Sequence, residues 1–528
     1  MTEPDAPSET ATPAAEAAEP ADGEPSDPDA ERTATLAKQG SITFAGDVIK
    51  KLFGFLIVAV MTRLVSPGVY GLFVLAVSLV LLIQTLAGLG LPKAVDYFVP
   101  QHLDSDDEAS ARGVVYTAGA IVLVSSTLVA GGLIALRWQV ANLFGEPALA
   151  FALLLLAVTL PMLAIYNILL GSFNAIKQLK YRVYMRDFVR PTVRLLVTAG
   201  LLLAGFGLIG IVGGYIVGLF FATIVGALLL VRNAPHLLYG PVTAAAPRRM
   251  VSYAAPLAVA GLIYVILGQI DYFIIGFFGT AEGVGIYRVG YMLAANLVIV
   301  FTAVSPVFKP LIAEVRDDDQ SVTKQYRTAT RWVAGLTLPL AITLSLGASA
   351  YLSLIFTPQY TAASLAVVIL AVGYLVNVTC GGPDGALLQG LGYSRLVFLN
   401  TSLLLGINAV GSALLVPRLG ITGAAIGTAT ALTVAGIAAI AEVYLVRGIH
   451  PVTRSLGKLF VSALPAALVG ILVVSLLPPL AVAVVLPIAV FAVYGGGVVV
   501  SGALTEADVS FASQFGPTAE ELVASVVR

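Results

Sequence analysis

Charge is scarce in this sequence. Asp, Glu, Lys and Arg make up 11% of its 528 residues, against about 25% in a soluble globular protein. Hydrophobic residues reach 58%, and the mean hydropathy is +0.94. Such a chain cannot cover a water-facing surface with polar groups, so lipid is its solvent over most of its length. Cysteine is nearly absent. Cys380 stands alone, which excludes an intrachain disulfide. Three histidines and one cysteine cannot supply a cysteine–histidine metal cluster. Large loops are missing too, since every connection between apolar runs is about 20 residues or fewer. Membrane glycosyltransferases and oligosaccharide ligases generally need a large extramembrane loop or domain with acidic or histidine catalytic groups. No nucleophile–base constellation, P-loop or metal motif is present. The chain is therefore not expected to be an enzyme, to hold a cofactor or metal, or to bind nucleic acid. Two N-x-S/T matches, at Asn377 and Asn400, lie in or beside apolar runs and are read as chance.

What is there is a succession of apolar runs. A span needs about 20 mostly apolar residues. Fourteen helices are expected, at 42–64, 71–91, 113–136, 148–170, 189–206, 209–231, 252–278, 285–308, 332–355, 362–381, 396–416, 421–446, 458–477 and 480–503. The fold class is thus an all-α polytopic membrane protein. Residues 1–38 are a different material, rich in Ala, Pro, Glu, Asp, Ser and Thr and without an aromatic residue. That composition cannot offset its ordering entropy by burial, so a disordered acidic tail is expected. It has neither the basic n-region nor the apolar h-region of a signal peptide.

Basic residues decide orientation. With a cytoplasmic N-terminus, the inner loops hold Lys93 and Arg112, then Lys177, Lys180, Arg182 and Arg186, then Arg232, Arg248 and Arg249. Further on they hold Arg316, Lys324, Arg327 and Arg331, then Arg395, Arg447 and Arg454. The outer side receives Arg63, Arg137, Arg288 and Arg418, one at a time. This is the positive-inside asymmetry, and it places both termini in the cytoplasm.

The first twelve spans divide into two sets of six. Gly71, in Ser66-Pro67-Gly68-Val69-Tyr70-Gly71-Leu72-Phe73, is followed 214 positions later by Gly285, in Thr280-Ala281-Glu282-Gly283-Val284-Gly285-Ile286-Tyr287. Gly207-Leu208-Ile209-Gly210 with Gly214 returns 213 positions later as Gly420-Ile421-Thr422-Gly423 with Gly427. Leu169-Leu170-Gly171 pairs more loosely with Leu388-Gln389-Gly390. A repeat of six spans keeps its membrane orientation, so the halves are parallel repeats with a substrate site between them. The expected organisation is a cytoplasmic tail (1–38), a first lobe (39–231), a cytoplasmic inter-lobe loop (232–251), a second lobe (252–446), two further helices (447–503) and a cytoplasmic C-terminal tail (504–528).

Several stretches carry a family resemblance. Arg63-Leu64-Val65-Ser66-Pro67-Gly68-Val69-Tyr70-Gly71-Leu72-Phe73 resembles the segment that follows the first helix in polysaccharide-biosynthesis flippases. Gly88-Leu89-Gly90-Leu91-Pro92 resembles the end of their second helix, and Leu354-Ile355-Phe356-Thr357-Pro358-Gln359-Tyr360 the end of their ninth. Val416-Pro417-Arg418-Leu419-Gly420-Ile421-Thr422-Gly423-Ala424-Ala425-Ile426-Gly427 resembles their late glycine motif. The superfamily also contains the multidrug and toxin extruders and the lipid II flippase. The resemblance implies two lobes around a cavity that works by alternating access. Its implied substrate is a polyprenyl- or dolichyl-linked (pyro)phosphate oligosaccharide. The implied partners are that substrate, membrane lipid and a coupling Na⁺ or H⁺, with the chain acting as a monomer. The competing expectation is a cation-coupled drug or metabolite exporter, which calls for an acidic cavity.

Charge inside a membrane is costly and therefore marks function. Lys50 and Lys51, on the inner part of the first helix, are candidates for a phosphate headgroup, or else reach the interface. Asp47, four residues before Lys51, could pair with it or take part in ion coupling. Arg194 lies a turn deeper than Arg190 in the fifth span, so Arg194 is a candidate cavity residue and Arg190 an interface anchor. Related flippases hold substrate phosphates with basic residues on their first, second and eighth helices, which favours Arg288. Arg63 is a further substrate candidate, or a cap on the last carbonyls of its own helix. Asp271, deep in the seventh span, is the candidate ion-coupling residue, with a structural role as its alternative.

Overall fold

The computed structural model describes residues 46 and 48–504, together with 508, 509, 517, 521 and 524. The expected tail at 1–38 and Asp47 lie outside these. The described chain is helical throughout, with no strand. In lipid every backbone N–H and C=O must be satisfied within the segment, and the helix does this.

In the first lobe, α1 (48–64) is followed by α2 (Pro67–Ala87), α3 (Leu91–Leu103) and α4 (Glu108–Leu143). Next come the bent pair α5 (Pro147–Ala157) and α6 (Thr159–Ala175), then α7 (Leu179–Val183). A π turn (Tyr184–Val189) leads into α8 (Arg190–Leu203), and α9 (Gly207–Asn233) closes the lobe. The second lobe holds α10 (Pro247–Phe278), α11 (Ala281–Ala295), α12 (Ile299–Glu314), α13 (Asp319–Tyr351), α14 (Ser364–Val376) and α15 (Gly382–Gly390). It ends with α16 (Ser394–Leu419) and α17 (Ile421–Arg447). The last pair, α18 (Arg454–Leu476) and α19 (Pro479–Ser501), packs on α13.

Among the described residues eleven helices are long and apolar enough to cross a membrane, or twelve with the bent α5–α6 pair counted as one. Of the other two expected spans, α1 begins outside the described residues, and α8 is short because a π turn interrupts the helix before it. One expected loop is a helix. After Gly88 the chain turns through Leu89 and Gly90, both left-handed at φ 48° and 70°, and continues as α3. The polar residues Lys93, Asp96, Gln101 and His102 keep α3 below any hydropathy threshold.

Equivalent residues start equivalent helices in the two lobes. Ser66 caps α2 and Thr280 caps α11, each hydroxyl accepting a backbone N–H three residues on. Asp107 caps α4 by accepting from Ser110 N at 3.0 Å. Asp318 caps α13 by accepting from Gln320 N at 3.0 Å and Ser321 Oγ at 2.6 Å. Both carboxyls are held below the usual aspartate range, mainly by the hydrogen bonds from these serines.

The lobes meet at one end of the bundle through backbone. A Cβ on Gly71 would lie 1.7 Å from Ala281 O, and one on Gly285 would lie 2.2 Å from Pro67 O. The two glycines related by the repeat are thus each other's neighbours across the seam. Glu146 Oε1 accepts from Ala281 N at 3.0 Å in the same region. At the opposite end, which carries the basic segments 177–186 and 316–331, the lobes touch through backbone, where a Cβ on Gly90 would lie 2.5 Å from Ala254 O, and through side chains. Tyr97 of α3 stacks on Tyr253 of α10 with centroids 4.2 Å apart, and the Arg249 guanidinium lies 5.3 Å from the Phe98 ring.

The inter-lobe segment is strapped to the first lobe. Buried Arg112 donates to Pro241 O at 2.8 Å, Tyr116 donates to Leu238 O at 2.8 Å, and Thr243 N donates to Ala109 O at 3.1 Å. Gly113 admits this strand of chain, since a Cβ there would lie 1.8 Å from Thr243 O.

Candidate substrate cavity and ion site

A cavity of about 480 Å³ lies between the lobes. Five basic side chains line it: Lys50, Arg186, Arg190 and Arg194 from the first lobe and Arg288 from the second. Among the described residues its lining holds no carboxylate. Ser78 and Gln269 bridge its floor, the hydroxyl donating to Oε1 at 2.6 Å.

The helix that carries two of these arginines is set by glycine. A Cβ on Gly214 would lie 2.0 Å from Thr198 Oγ1, and one on Gly218 would lie 2.8 Å from Arg194 Cβ. Their absence lets α9 press on α8 and turns Arg190 and Arg194 toward the cavity. Aromatic rings then hold the guanidiniums. Arg190 donates to Tyr215 OH at 3.2 Å and lies 5.1 Å from the Tyr166 ring. Arg194 lies 5.1 Å from the Tyr215 ring and 5.5 Å from the Phe73 ring. Among the described residues its buried Nε has no hydrogen-bond partner. From the second lobe, Arg288 donates to Tyr272 OH at 2.6 Å and lies over that ring at 5.4 Å. Arg194 and Arg288 line the same cavity from opposite lobes, with Tyr70 beside them in the lining. Clustered cations held by neutral π-faces and hydroxyls retain their charge for an anion.

The expected residues divide as follows. Lys50, Arg194 and Arg288 line the cavity. Lys51 is exposed and lies outside the lining. Arg190, expected at the interface, lines the cavity under Tyr166 and Tyr215. Arg186 joins it from the π turn, chelating Asp187 at 2.7 and 2.9 Å. Sequence reasoning missed these two because they continue a basic loop; the tyrosines that receive Arg190 sit on other helices. Arg63 caps carbonyls, though not those of its own helix. Its Nε donates to Ile355 O at 2.8 Å and its Nη2 to Leu354 O, so it ties the end of α1 to the π turn that follows α13.

Asp271 lies in a separate buried cluster inside the second lobe. Tyr287 OH and Thr428 Oγ1 each donate to its Oδ2 at 2.8 Å, and Ser412 Oγ donates to its Oδ1 at 3.2 Å. Asn408 Oδ1 lies 2.9 Å from Ser412 Oγ, so this oxygen and Asp271 Oδ1 share the one hydroxyl proton. Gly427 permits this packing, because a Cβ there would lie 2.5 Å from Ser412 Oγ. Hydroxyl, amide and carboxylate oxygens of this kind suit a hard cation or a proton.

Comparison with known proteins follows the same lines. The chain is 24% identical over 446 residues to a "Probable flippase AglR" of Haloferax volcanii, covering 81% of this chain and 88% of that protein. It is 29% identical over 175 residues to the "Stage V sporulation protein B" of Bacillus subtilis, covering 31% and 32%. Its fold is similar to that of the lipid II flippase MurJ in an inward closed conformation, with a TM-score of 0.71 at 13% identity over 87% of this chain and 98% of that one. An inward-facing multidrug transporter of the MATE family superposes with a TM-score of 0.62 at 13% identity, over 76% and 94%. The profile of the polysaccharide biosynthesis protein family matches residues 60–365. With more than half the chain inside that match and a basic cavity between two repeated lobes, this multi-span membrane protein belongs to the polysaccharide biosynthesis protein family.

Proposed function

We propose that this protein is a flippase. It carries an oligosaccharide linked through phosphate or pyrophosphate to a polyprenol or dolichol across the cell membrane, by alternating access, for surface polysaccharide or protein glycosylation. One observation carries this reading: Lys50, Arg190, Arg194 and Arg288 line the cavity between the lobes with, among the described residues, no carboxylate in the lining, while the fifth basic residue there, Arg186, is offset by Asp187. The negative charge of a lipid-linked glycan sits where sugar joins lipid. Moving it through a low-dielectric region costs several kcal/mol unless cations meet it. Arginine forks suit phosphate oxygens because they bind two at once. Lys50, Arg190, Arg194 and Arg288 bind the phosphates, with Lys51 and Arg63 acting at the interface and at the sealed seam. A cavity of this sign repels the cationic drugs of an exporter. The AglR relative, a probable flippase by name, supports the same reading.

Asp271 is the coupling site for Na⁺ or H⁺ in this proposal, and Asp47 lies beyond the described residues. The protein acts as a monomer with both termini in the cytoplasm. It binds and moves its substrate and catalyses no bond change. The test is complementation of a deletion strain, with surface glycan measured by mass spectrometry. Arg288→Ala should fail to restore glycan and should accumulate lipid-linked precursor in the cytoplasmic leaflet. Normal surface glycan in the deletion strain, together with sensitivity to cationic dyes, would replace the flippase by an exporter.

A further inference from the structure

Two adjoining hollows lie outside the central cavity, where α13 meets α18 and α19. At the basic end of the bundle, a groove of about 580 Å³ is lined by Lys324, Arg327 and Arg331 of α13 and by Thr453 and Ser455 at the start of α18. The three cations stand at successive turns of one helix face. Arg327 donates to His450 O at 3.1 Å, which fixes its stem. Among the described residues Lys324 has no ion-pair or hydrogen-bond partner. Asp319 also borders the groove, but Arg447 holds its carboxylate at 2.9 Å. Arg331 pairs with Asp508, which also accepts from Trp332 Nε1 at 3.0 Å. Among the described residues, with these partners included, four cations meet two carboxylates, and the groove keeps a positive balance.

Below Arg331 the groove continues into an apolar hollow of about 180 Å³. Its walls include Trp332, Gly335 and Leu336 of α13, Leu459 of α18, and Tyr494 and Val498 of α19, and the paired Arg331 and Asp508 border it. Arg331 and Trp332 sit at the junction of the two, where the polar first turns of α13 give way to its apolar run. A positive groove opening onto an apolar hollow at the membrane border matches a molecule with an anionic head and a hydrocarbon chain. We infer that an anionic phospholipid of the surrounding bilayer docks here, with its phosphate on Lys324 and Arg327 and one acyl chain beside Trp332. The site requires only that the chain lies in a bilayer. It stands or falls separately from the glycan reading, because none of its residues lines the central cavity.

Trp332 reports on the site directly. The sequence has two tryptophans, and the other, Trp138, is exposed on α4. In a Trp138→Phe background, full-length protein is reconstituted into phosphatidylcholine vesicles and titrated with phosphatidylglycerol brominated on its acyl chains. Trp332 fluorescence should be quenched saturably, at a much lower mole fraction than brominated phosphatidylcholine requires. Lys324→Ala with Arg327→Ala should weaken that preference about 25-fold, roughly fivefold for each cation near a lipid surface. Gly335→Phe should fill the hollow and remove the quenching with both cations in place. Native mass spectrometry of the unmutated protein gives a second measure, with retained phosphatidylglycerol expected to outlast phosphatidylcholine. Equal quenching by the two lipids, or an undiminished preference after both cations are removed, would overturn the inference. Displacement of the brominated lipid by inorganic phosphate would assign the groove to a free anion instead.

Discussion

The same helix pair does different chemistry in the two lobes. In the first lobe α9 presses on α8 through Gly214, whose added Cβ would lie 2.0 Å from Thr198 Oγ1. In the second, α17 presses on α16 through Gly427, whose added Cβ would lie 2.5 Å from Ser412 Oγ. These glycines are 213 positions apart, at matching places in the repeat. The first pair presents Arg190 and Arg194 to the cavity. The second presents Asn408, Ser412 and Thr428 to Asp271. The two halves share the backbone packing and differ in the side chains beside it, guanidiniums in one and hydroxyls, an amide and a carboxylate in the other.

The sharpest way to break this contrast is to remove a cation. Arg194→Ala or Arg288→Ala should lower flipping in reconstituted vesicles by about a hundredfold or more, since an anion left unpaired in a buried site costs about 3–5 kcal/mol. Asp271→Asn should cost less, about thirtyfold, the order of a lost charge-assisted hydrogen-bond set. It should also abolish dependence on Na⁺ or on a pH gradient while leaving the affinity for a short-chain prenyl pyrophosphate intact. Loss of that affinity in Asp271→Asn would merge the two sites and end the comparison. Gly214→Ala and Gly427→Ala probe what the lobes share. Each should destabilise the folded protein by about 1–3 kcal/mol through overpacking, and similar falls in thermal midpoint are expected. A large inequality would mean that the pairs are not packed alike.

The smallest expected effect concerns the helix caps outside the membrane. Asp107 and Asp318 have folded pKa values below the unfolded one, so their contribution is present above the ordinary aspartate range. It is lost as pH falls through the lowered folded values. A mild loss of thermal stability on acidification below about pH 4 should therefore shrink in the Asp107→Asn, Asp318→Asn double variant. Unchanged acid sensitivity in that variant would remove the caps from the account.

Eleven or twelve of the fourteen expected spans are long, apolar helices among the described residues, legible because hydropathy reports what lipid requires, and glycine marked places of close backbone approach. Gly71 and Gly285 were found as a pair in sequence and are neighbours in space. The α3 helix was not legible, since its polar residues fall in the window that hydropathy averages away. Nor was the place of Arg190 or Arg63. Their partners, Tyr166 and Tyr215 in one case and the carbonyls of Leu354 and Ile355 in the other, come from other helices. A single charged residue looks alike in sequence whether it faces lipid headgroups, a cavity or a distant helix end.

The strap around Arg112 sets a length. Thr243 is bonded to Ala109, and α10 begins at Pro247. Three residues, 244–246, remain as the tether between a fixed point on the first lobe and the leading helix of the second. Fully drawn out, the four Cα–Cα steps from Thr243 to Pro247 reach about 14 Å. Along this edge, then, those two points can stand no farther apart than that while the strap holds. If the mouth at the basic end opens with the strap intact, it opens as a wedge, narrow beside the tether and wide on the far side.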